Sequence, residues 1–470
     1  MGKPADLKLL ADELRSLLKA DNILTPESSG YKDSILRWSD AVPNAAALVV
    51  FPESADEVNA TVQGCIKYSV PFAVTCGRHT TSTGSSCDGG LIIDLAKINS
   101  VVLDAGSKTV RVGGGCRARD LNVALEGTGL AVIQGIVDDT GIGGITLGGG
   151  YGWLSGRHGL LIDNLVSVTM VVADGRIVVA SEHENPDLFW GVRGAGQCFG
   201  VAVEFIFRAH EIEDPVWGGV LGLPLSQLEA VIEFGNELVE KTNGDSAMVV
   251  QIGRYPWSNS QRDIGVLPIL FHAGREDAAK TVFQPLLDLD PIFNTTTEQS
   301  WKSLNGMLTP EAMRGGRTVS KGAAYTTPLR PSFLRESIVP QLERLATVPR
   351  GTRSFLEFEF YHPDKWCEIP RVATAHGHRG QHQNVMIALY WTDAGEDIRM
   401  EKWSRQIAES VEAERRTHGR PSLGPVTEYG NYDHLSADPR NVFGDCYGRL
   451  VDLKGKWDPA NVFNKWYSLV

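Results

Sequence analysis

A glycine-rich run in the first third of the chain constrains the fold more than any other feature. Seven of the twelve residues from Gly141 to Gly152 are glycine, in the sequence GIGGITLGGGYG. Glycine loses more backbone freedom on folding than other residues, so the run disfavours regular structure. A flexible linker is the alternative, but linkers are usually polar and serine-rich, whereas Ile145, Leu147 and Tyr151 interleave here. The run predicts a cradle where backbone approaches a phosphate-bearing cofactor.

The common nucleotide and hydrolase motifs do not match the chain. The dinucleotide fingerprint GxGxxG is missing from the glycine run, and the segment GVRGAGQCFG misses its spacing by one residue. Neither the P-loop motif GxxxxGK[ST] nor the nucleophile elbow GxSxG occurs. The cradle therefore belongs to a different type of cofactor site.

Charge and hydropathy exclude several classes of partner. The 470 residues carry 45 Lys and Arg against 57 Asp and Glu, a formal net charge of −12. An acidic surface disfavours binding to phosphate backbones, so no nucleic-acid partner is expected. No apolar run approaches the roughly 20 residues of a membrane span, and the start shows no signal-peptide pattern. We expect no membrane association and a cytoplasmic location.

The seven cysteines do not suggest a disulfide framework or a zinc site. Their number is odd, they are spread along the chain, and no CxxC pair occurs. This usage is compatible with a reducing compartment.

Short β-rich runs alternate with helical segments from Ala46 onward, which is typical of an α/β or α+β fold. After about Glu213 the pattern changes. A strongly helical segment is followed by strand-like runs, GVLPILFHAG, RSFLEFEFYH and NVMIALYW, which are separated by helices. This part predicts a second domain in which helices cover a sheet.

Four segments in order resemble the FAD-linked oxidases of the berberine-bridge-enzyme type, within the vanillyl-alcohol-oxidase superfamily. They are VPFAVTCGRHTTSTG, GLAVIQGIVDDTGIGGITLGGGYG, ENPDLFWGVRGAGQCFGVAVEF, and a C-terminal pair, YGNYDHL and CYGRLVDLKGKWDPANVFNKWYSL. One such segment would be weak evidence, but four in the right order are specific and span nearly the whole chain.

The resemblance implies an α+β fold with a split FAD-binding domain of the PCMH type and an inserted substrate domain. The insertion would be an antiparallel sheet covered by helices. We expect the FAD-binding domain at residues 1–212, the substrate domain at 213–421, and a C-terminal segment at 422–470 that returns to the FAD-binding domain.

The resemblance also implies which residues hold the cofactor. His79 matches the histidine that bonds covalently to the flavin in this family, which suits the nucleophilicity of a neutral imidazole. Arg78 stands where the family usually has glycine, and would bring a charge near the phosphates. The complete expected set is His79, Gly77, Arg78, Thr80, Gly84, Thr140, Gly141, Gly143, Gly144, Thr146, Gly149, Gly150, Gly152, Val201, Cys446 and Tyr447.

Three further positions depart from or refine the family pattern. Val137 occupies the place of a cysteine that often makes a second flavin bond, so a single covalent link is expected. Ile145 replaces a histidine that often follows the glycine pair. Thr140 falls where the family places a side chain that limits oxygen access, and a small threonine leaves that access open.

The family's proton acceptor is often a tyrosine in an NYxD segment, and Asn431-Tyr432-Asp433 matches it. Tyr432 is therefore our first candidate for the base, against the alternative of a core-edge tyrosine. By the same alignment Asn384 stands where a glutamate base is customary, and Phe360 occupies a pocket position. Weaker candidates are Tyr429, Glu357, Glu359 and Tyr361, of which the last three share one face of a strand.

The spacing HxHxxxH at His376, His378 and His382 suggests a metal site, but His378-Arg379 matches the structural HR pair of the family. We therefore expect no metal. Cys446 replaces an asparagine that commonly contacts the flavin, and a thiol is a much weaker hydrogen-bonding partner.

These observations predict an FAD-dependent oxidase with flavin attached through His79. It would oxidise a small organic molecule, such as a secondary-metabolite alcohol, phenol or amine, and pass electrons to O2. Oxidative ring closure is within this range. The alternatives are a dehydrogenase that uses another acceptor and a flavin-bearing cyclase without net oxidation. The sequence leaves the substrate and the oligomeric state undetermined.

Overall fold

The computed structural model describes residues 4–42, 44–254, 263–309, 315–420, 425–433 and 438–470. The boundary expected between residues 421 and 422 lies outside this part of the chain. The described chain mixes helices with three larger sheets and one two-stranded pair, which confirms the predicted α+β class.

The first sheet has four strands in the order β1-β2-β4-β3. They are β1 (Ile23–Leu24), β2 (Leu48–Val50), β3 (Phe72–Thr75) and β4 (Leu91–Asp94). The central strand β4 pairs in parallel with β2 and β3, and its sequence LIID is buried along its whole length. A continuous apolar run is what a strand covered on both faces requires.

The second sheet is antiparallel, in the order β5-β6-β10-β8-β9, and a two-stranded pair of β7 and β11 accompanies it. The strands are β5 (Val101–Asp104), β6 (Thr109–Gly113), β7 (Leu130–Ala131), β8 (Leu165–Val172), β9 (Ile177–Ser181), β10 (Gly200–Arg208) and β11 (His210–Glu211).

The third sheet is antiparallel and eight-stranded, in the order β15-β12-β14-β13-β18-β19-β17, with β16 paired to β12. Its strands are β12 (Val216–Pro224), β13 (Ser246–Arg254), β14 (Ile264–His272), β15 (Phe293–Asn294), β16 (Thr297–Gln299), β17 (Arg317–Tyr325), β18 (Phe355–Phe360) and β19 (Gln383–Trp391).

Sixteen α-helices connect and cover the sheets of the described chain. They are α1 (Pro4–Leu17), α2 (Tyr31–Ile35), α3 (Ala55–Lys67), α4 (Ala118–Leu125), α5 (Ile142–Leu147), α6 (Ser155–His158), α7 (Pro186–Ala195), α8 (Leu228–Lys241), α9 (Glu276–Leu287), α10 (Trp301–Gly306), α11 (Pro331–Phe333), α12 (Val339–Leu345), α13 (Asp364–Cys367), α14 (Asp397–His418), α15 (Pro439–Phe443) and α16 (Tyr447–Trp457). Within these described ranges, no helix has the length and apolarity that crossing a bilayer requires.

Strand β18 shows how sequence alternation sorts the two faces of the third sheet. Its sequence FLEFEF places Leu356, Phe358 and Phe360 in the core beneath the covering helices, while Glu357 and Glu359 point to the other face. Both glutamates are buried as well.

The C-terminal segment packs against the first and second sheets. The ammonium of Lys454 in α16 is buried and donates to the carbonyl oxygens of Cys198 at 2.7 Å and Phe463 at 2.8 Å, and to Asp458 at 2.7 Å. Phe463 in turn packs edge-on against Phe72 of β3. These contacts fix the last residues beside the chain's first strands.

Candidate active site

A cavity of about 1050 Å³ lies between the glycine-rich run and the glutamate face of the third sheet. Its walls come from the loop after β3, the segment around α5, strand β10, several strands of the third sheet, and residues near the C-terminus. Small-molecule and cofactor sites usually enclose roughly 300–1000 Å³. The cavity is therefore large enough for an extended ligand.

His79 lies in the loop after β3 and lines the cavity. Its Nε2 atom is 3.1 Å from Oδ1 of Asp139, and its ring stacks on Trp38 with centroids 4.5 Å apart. A carboxylate accepts a hydrogen bond from a ring N–H, so in the neutral imidazole this contact places the proton on Nε2. The Nδ1 atom then carries the nucleophilic lone pair.

Arg78 adopts the left-handed backbone conformation, with φ +63°, at a position where the family usually has glycine. Its guanidinium donates to buried Asp94, from Nε at 3.1 Å and Nη2 at 2.5 Å, and to the Asp33 carbonyl at 2.8 Å. The expectation that Arg78 brings a charge near the phosphates stays a prediction. Arg78 lines the cavity, but Asp94 neutralises its charge.

Glycines form a surface on which a ligand can lie against backbone. Gly77 and Gly141 pack so closely that a Cβ on Gly77 would fall onto the backbone nitrogen of Gly141. A Cβ on Gly84 would lie 2.9 Å from the ring of Trp466, whereas one on Gly144 would meet no atom within 4 Å. The cradle is therefore closed on the protein side and open on the cavity side.

The cavity brings together most of the residues that the sequence predicted for it. Those that line it are Gly77, Arg78, His79, Thr80, Gly84, Val137, Thr140, Gly141, Gly143, Gly144, Val201 and Tyr432.

Three glycines of the predicted set lie behind the lining and serve packing instead. Gly149 and Gly150 have φ of +127° and +89°, and Cβ atoms there would lie 2.6 Å from the His376 ring and 2.6 Å from Leu161. A Cβ on Gly152 would fall onto the carbonyl oxygen of Gln134. Close approach of protein to protein accounts for the lack of side chains at these glycines, and their expected contact with the cofactor stays a prediction.

Three other predicted residues also lie away from the cavity lining. The Thr146 hydroxyl donates within α5 to the Ile142 carbonyl at 2.6 Å. The Cys446 thiol is 3.4 Å from the carbonyl of Thr374, and the Tyr447 hydroxyl donates to that of Leu469 at 3.2 Å. Their side chains contact the local backbone, and the expectation that these residues touch the cofactor stays a prediction.

Tyr432 and Glu359 meet in the cavity and form its polar centre. The Tyr432 hydroxyl donates to Oε1 of Glu359 at 2.5 Å, and Nδ2 of Asn384 lies 2.6 Å from Oε2. Burial raises the pKa of Glu359 to about 7; the Tyr432 hydroxyl opposes this rise, as does Nδ2 of Asn384 in the amide orientation in which it faces the carboxyl group. Burial, together with Glu359 and Glu357, raises the pKa of Tyr432 well above its usual value. The carboxyl group is therefore the partner that exchanges a proton near neutral pH.

The sequence expectation for Asn384 is refined by its neighbour. Asn384 lies in β19 outside the cavity lining, and its amide touches Glu359 of the adjacent strand. A carboxyl group is thus present where the alignment indicated that one was missing.

Phe360 is not a pocket residue, which corrects the expectation from the alignment. Its side chain points to the helix-covered face of the sheet, where it packs with Tyr325 at a centroid distance of 5.6 Å and against Gly235 of α8. The reason is the period of two in β18, because Glu359 faces the cavity and its neighbour must face away.

A second buried carboxyl group lines the same face. Oε2 of Glu357 accepts a hydrogen bond from Nε2 of Gln251 in β13 at 2.8 Å. Burial, followed by the nearby charge of Glu359, raises the pKa of Glu357 to about 7.

The segment Tyr429–Asp433 is fixed at both ends. Nδ2 of Asn431 donates to the Ile145 carbonyl at 3.0 Å and to the Tyr429 hydroxyl at 2.9 Å. Asp433 pairs with buried Lys321 of β17. These contacts hold Tyr432 between the glycine-rich run and the third sheet.

Three residues that contact the predicted site residues were ranked low or not singled out from the sequence: Glu359, Asp139 and Trp38. The alternation of β18 gave a signal for Glu359, since it placed that carboxyl on the face opposite the phenylalanines. Asp139 directly precedes Thr140 but carried no motif, and Trp38 comes from a segment far from any motif.

The three histidines of HxHxxxH are buried, and their rings pack among one another and Tyr429. In the part of the chain that the structure describes, no group of three or more His, Cys, Asp or Glu side chains is arranged to hold a metal ion.

Fold and cavity together define an FAD-binding oxidoreductase, and comparisons with known proteins agree. The model of the family "FAD binding domain" matches residues 46–181, and that of "Berberine and berberine like" matches residues 428–468. The FAD-linked oxidoreductase pgmH of Aspergillus terreus is 31% identical over 97% of this chain and 95% of its own. The FAD-linked oxidoreductase fogF of Aspergillus ruber is 29% identical over 97% of this chain and 93% of its own.

Solved structures show the same fold. The 6-hydroxy-D-nicotine oxidase of Arthrobacter nicotinovorans superposes with a TM-score of 0.80 at 23% identity, covering 95% of this chain and 97% of that one. A xylooligosaccharide oxidase of Myceliophthora thermophila gives 0.80 at 22% identity, covering 98% of both. The chain belongs to the berberine-bridge-enzyme-like family of FAD-linked oxidoreductases.

The residues present fit FAD. Gly77, Gly141 and Gly144 line the cavity, and a Cβ on Gly144 would point into open space; the cavity extends from these glycines to His79 and Tyr432. This arrangement suits a long cofactor with one end near Tyr432.

Proposed function

We propose that this enzyme oxidises a small organic molecule by transfer of a hydride from one of its carbon atoms. The Tyr432–Glu359 pair in the cavity supports this proposal most directly. When bound, FAD supplies the electron acceptor for the hydride. The part that falls to the protein is to remove the accompanying proton and to orient the substrate.

Tyr432 and Glu359 together suit proton removal better than either alone. The raised pKa of Tyr432 makes a free phenolate costly, while Glu359 in its ionised form accepts a proton with a pKa of about 7. A substrate proton passes to the phenol oxygen of Tyr432 as the phenol proton passes to Oε1 of Glu359. No net charge then develops on the tyrosine.

His79 is proposed as the single attachment point of the cofactor. Its stacking on Trp38 and its contact with Asp139 orient the ring and place the lone pair on Nδ1. Val137 lines the cavity without a thiol, so a second bond of the cysteinyl type is not expected.

We further propose O2 as the acceptor that takes the electrons back, with H2O2 as product. Thr140, a small side chain, lines the cavity at the place where the family restricts oxygen. The substrate class proposed is a secondary-metabolite alcohol, phenol or amine, and oxidative ring closure is a natural outcome for such molecules.

Anaerobic mixing with candidate substrates tests the activity. A substrate should bleach the flavin absorption, and the Tyr432→Phe variant should reduce its flavin about a hundredfold more slowly or worse. An unchanged rate removes Tyr432 from proton transfer. If a ligand is converted while the flavin stays oxidised, the activity is a cyclisation without net oxidation. Reduction without H2O2 formation in air indicates a dehydrogenase.

Acid precipitation tests the covalent link. We expect yellow protein pellets from the wild type and a colourless pellet from His79→Ala. His183→Ala, an exposed histidine, serves as the matched control and should remain yellow. A yellow supernatant over a white wild-type pellet rules out attachment through His79.

A further inference from the structure

A chain of hydrogen-bonding groups runs from Glu359 into the protein, away from the cavity. Oε2 of Glu359 lies 2.6 Å from the amide of Asn384, whose other end is 2.7 Å from Nε2 of His378. Nδ1 of His378 is in turn 2.5 Å from the carbonyl oxygen of Thr427. Glu359, Asn384 and His378 are each at most 2% exposed, so bulk water does not complete these bonds.

The backbone carbonyl at the far end determines the tautomer of His378. A carbonyl oxygen only accepts, so Nδ1 must carry the proton that bridges to Thr427. The surroundings of His378 disfavour a second proton. Burial and the cations Arg371 and Arg415 lower its pKa to about 4, although the two hydrogen bonds oppose this. Nε2 of His378 is therefore a hydrogen-bond acceptor at neutral pH.

An acceptor at Nε2 determines the orientation of the Asn384 amide. The oxygen and nitrogen of a side-chain amide exchange places by a half-turn and are assigned from their hydrogen bonds. With the oxygen towards His378, two acceptors would face each other at 2.7 Å. Turning the amide lets Nδ2 donate to Nε2, and then the amide oxygen faces Oε2 of Glu359 at 2.6 Å. That contact is favourable only when Oε2 carries a proton.

We propose that Asn384 and His378 are positioning residues that retain a proton on Oε2 of Glu359 by presenting the amide oxygen of Asn384 to it. The inference rests on the proposed function for its catalytic meaning, because Glu359 must release this proton before it can take one from Tyr432. The proton leaves Oε2 for cavity water as the pH rises, and the carboxylate then serves as the base.

Other groups around these hydrogen bonds do not replace Asn384 in holding the proton on Glu359. Glu359 is faced by Glu357 on its own strand and by Tyr432, and its backbone carbonyl accepts from Tyr325. Tyr361 and Tyr429 lie near and are themselves affected by its charge. The rings packed near His378 are those of His376, His382, Tyr151 and Tyr429. Arg371 and Arg415 are the cations that act on His378. Of all these, Asn384 alone contacts both Oε2 of Glu359 and Nε2 of His378 among the described residues.

The sign of a pKa change separates the two amide orientations. If the amide oxygen accepts from the acid, Asn384→Leu removes an interaction of the protonated form, and the pKa of Glu359 falls by about one pH unit or more. If the amide nitrogen donates to the carboxylate, the same variant raises that pKa. Infrared difference spectroscopy of the holoenzyme across pH follows the protonated-carboxyl band, which is assigned to Glu359 by its loss in Glu359→Gln. A rise in pKa overturns the proposal.

Gln251→Leu is the matched control. It removes a donor from Glu357 in the same cavity and should raise the pKa of that carboxyl group, the opposite direction. His378→Phe frees the Asn384 amide to turn its nitrogen to Glu359, so it should lower the pKa of Glu359 as well. In the double variant Asn384→Leu/His378→Phe, the pKa of Glu359 should fall no further than it does in Asn384→Leu alone. Additive shifts contradict a shared mechanism.

Neutron diffraction from wild-type crystals decides the question even if a buried variant fails to fold. Below pH 7 we expect deuterium on Nδ1 of His378, none on its Nε2, and one on Oε2 of Glu359. Deuterium on Nε2 of His378 overturns the inference. An unaltered flavin-reduction rate in Glu359→Gln would instead contradict the proposed function, and the proton positions would stand independently.

Discussion

At the scale of single residues, Glu359 is the group that we propose couples the chemistry to pH. Its folded-state pKa is about 7, above the ordinary glutamate value of 4.5, so the acid form predominates below neutrality and the base form above it. Because the proposed reaction needs the base, the rate of flavin reduction should rise as the pH increases through about 7. Glu359→Gln should flatten this rise and lower the rate at high pH. Stopped-flow reduction at a series of pH values provides the measurement, and a rise that persists in Glu359→Gln contradicts the assignment.

Glu357 has a similar pKa and a consequence for stability. A carboxyl whose pKa is raised by folding contributes stability below its unfolded pKa of about 4.5, and this contribution is lost as the pH rises towards about 7. The Tm of the wild type should therefore fall relative to the Tm of Glu357→Gln between about pH 5 and about pH 8, two values that lie on either side of the titration. Glu233→Gln, on the exposed face of α8, is the control and should track the wild type at both pH values. Parallel curves of Tm against pH for the wild type and Glu357→Gln would show that ionisation of Glu357 does not destabilise the folded state.

Single residues also show how far sequence could go. Motifs indicated the loop with His79, the glycines Gly141 and Gly143, and Tyr432. In the structure all of them line one cavity. Asp139 and Trp38 could not be found, because their roles depend on distances to His79 that no spacing rule encodes. Gly149 and Gly150 were attributed to the cofactor, since packing against His376 and Leu161 is invisible before the chain is folded.

At the scale of elements, the alternation of side chains along β18 places core residues on one face of the sheet and cavity-lining residues on the other. Phe360 lies in the core and Glu359 in the cavity, one residue apart. Phe360→Leu should lower the free energy of unfolding, by less than the ~3–5 kcal/mol typical of Phe→Ala, because leucine fills part of the volume. Its flavin-reduction rate should equal that of the wild type. Denaturant unfolding tests the predicted loss of stability, and anaerobic flavin reduction tests the predicted rate. A changed substrate preference in Phe360→Leu would show that Phe360 influences the pocket.

The strand runs were more predictable than the partners of each strand. The apolar runs around Leu91 and the FLEFEF pattern indicated strands, and β4 and β18 are found there. The pairing of β13 with β18, which sets Gln251 opposite Glu357, depends on long-range register and had no local signal. The hydrogen bond from Gln251 to Glu357 is therefore a product of the sheet topology.

At the scale of the whole molecule, buried ion pairs join segments that are far apart in sequence. Arg379, after α13, donates from Nη2 to Oδ1 of Asp163 at 2.7 Å and from Nη1 to Oδ2 at 3.1 Å, and both side chains are at most 3% exposed. This bidentate pair holds the loop before β19, which carries His378, against the segment that follows the glycine-rich run. Its integrity should thus matter to the fold and, through His378, to the site.

Breaking that pair should cost far more than breaking one on the surface. Arg379→Met leaves the carboxylate of Asp163 buried without its cation, and such losses are typically about 3–5 kcal/mol in the free energy of unfolding. Lys241→Met removes a partner of Glu237 on the exposed face of α8 and should cost at most about 0.5 kcal/mol. Chemical denaturation of the holoenzyme compares the two. The double variant Arg379→Met/Asp163→Leu should recover part of the loss, because no unpaired charge then remains. Equal losses for Arg379→Met and Lys241→Met would show that the pair does not join the two segments.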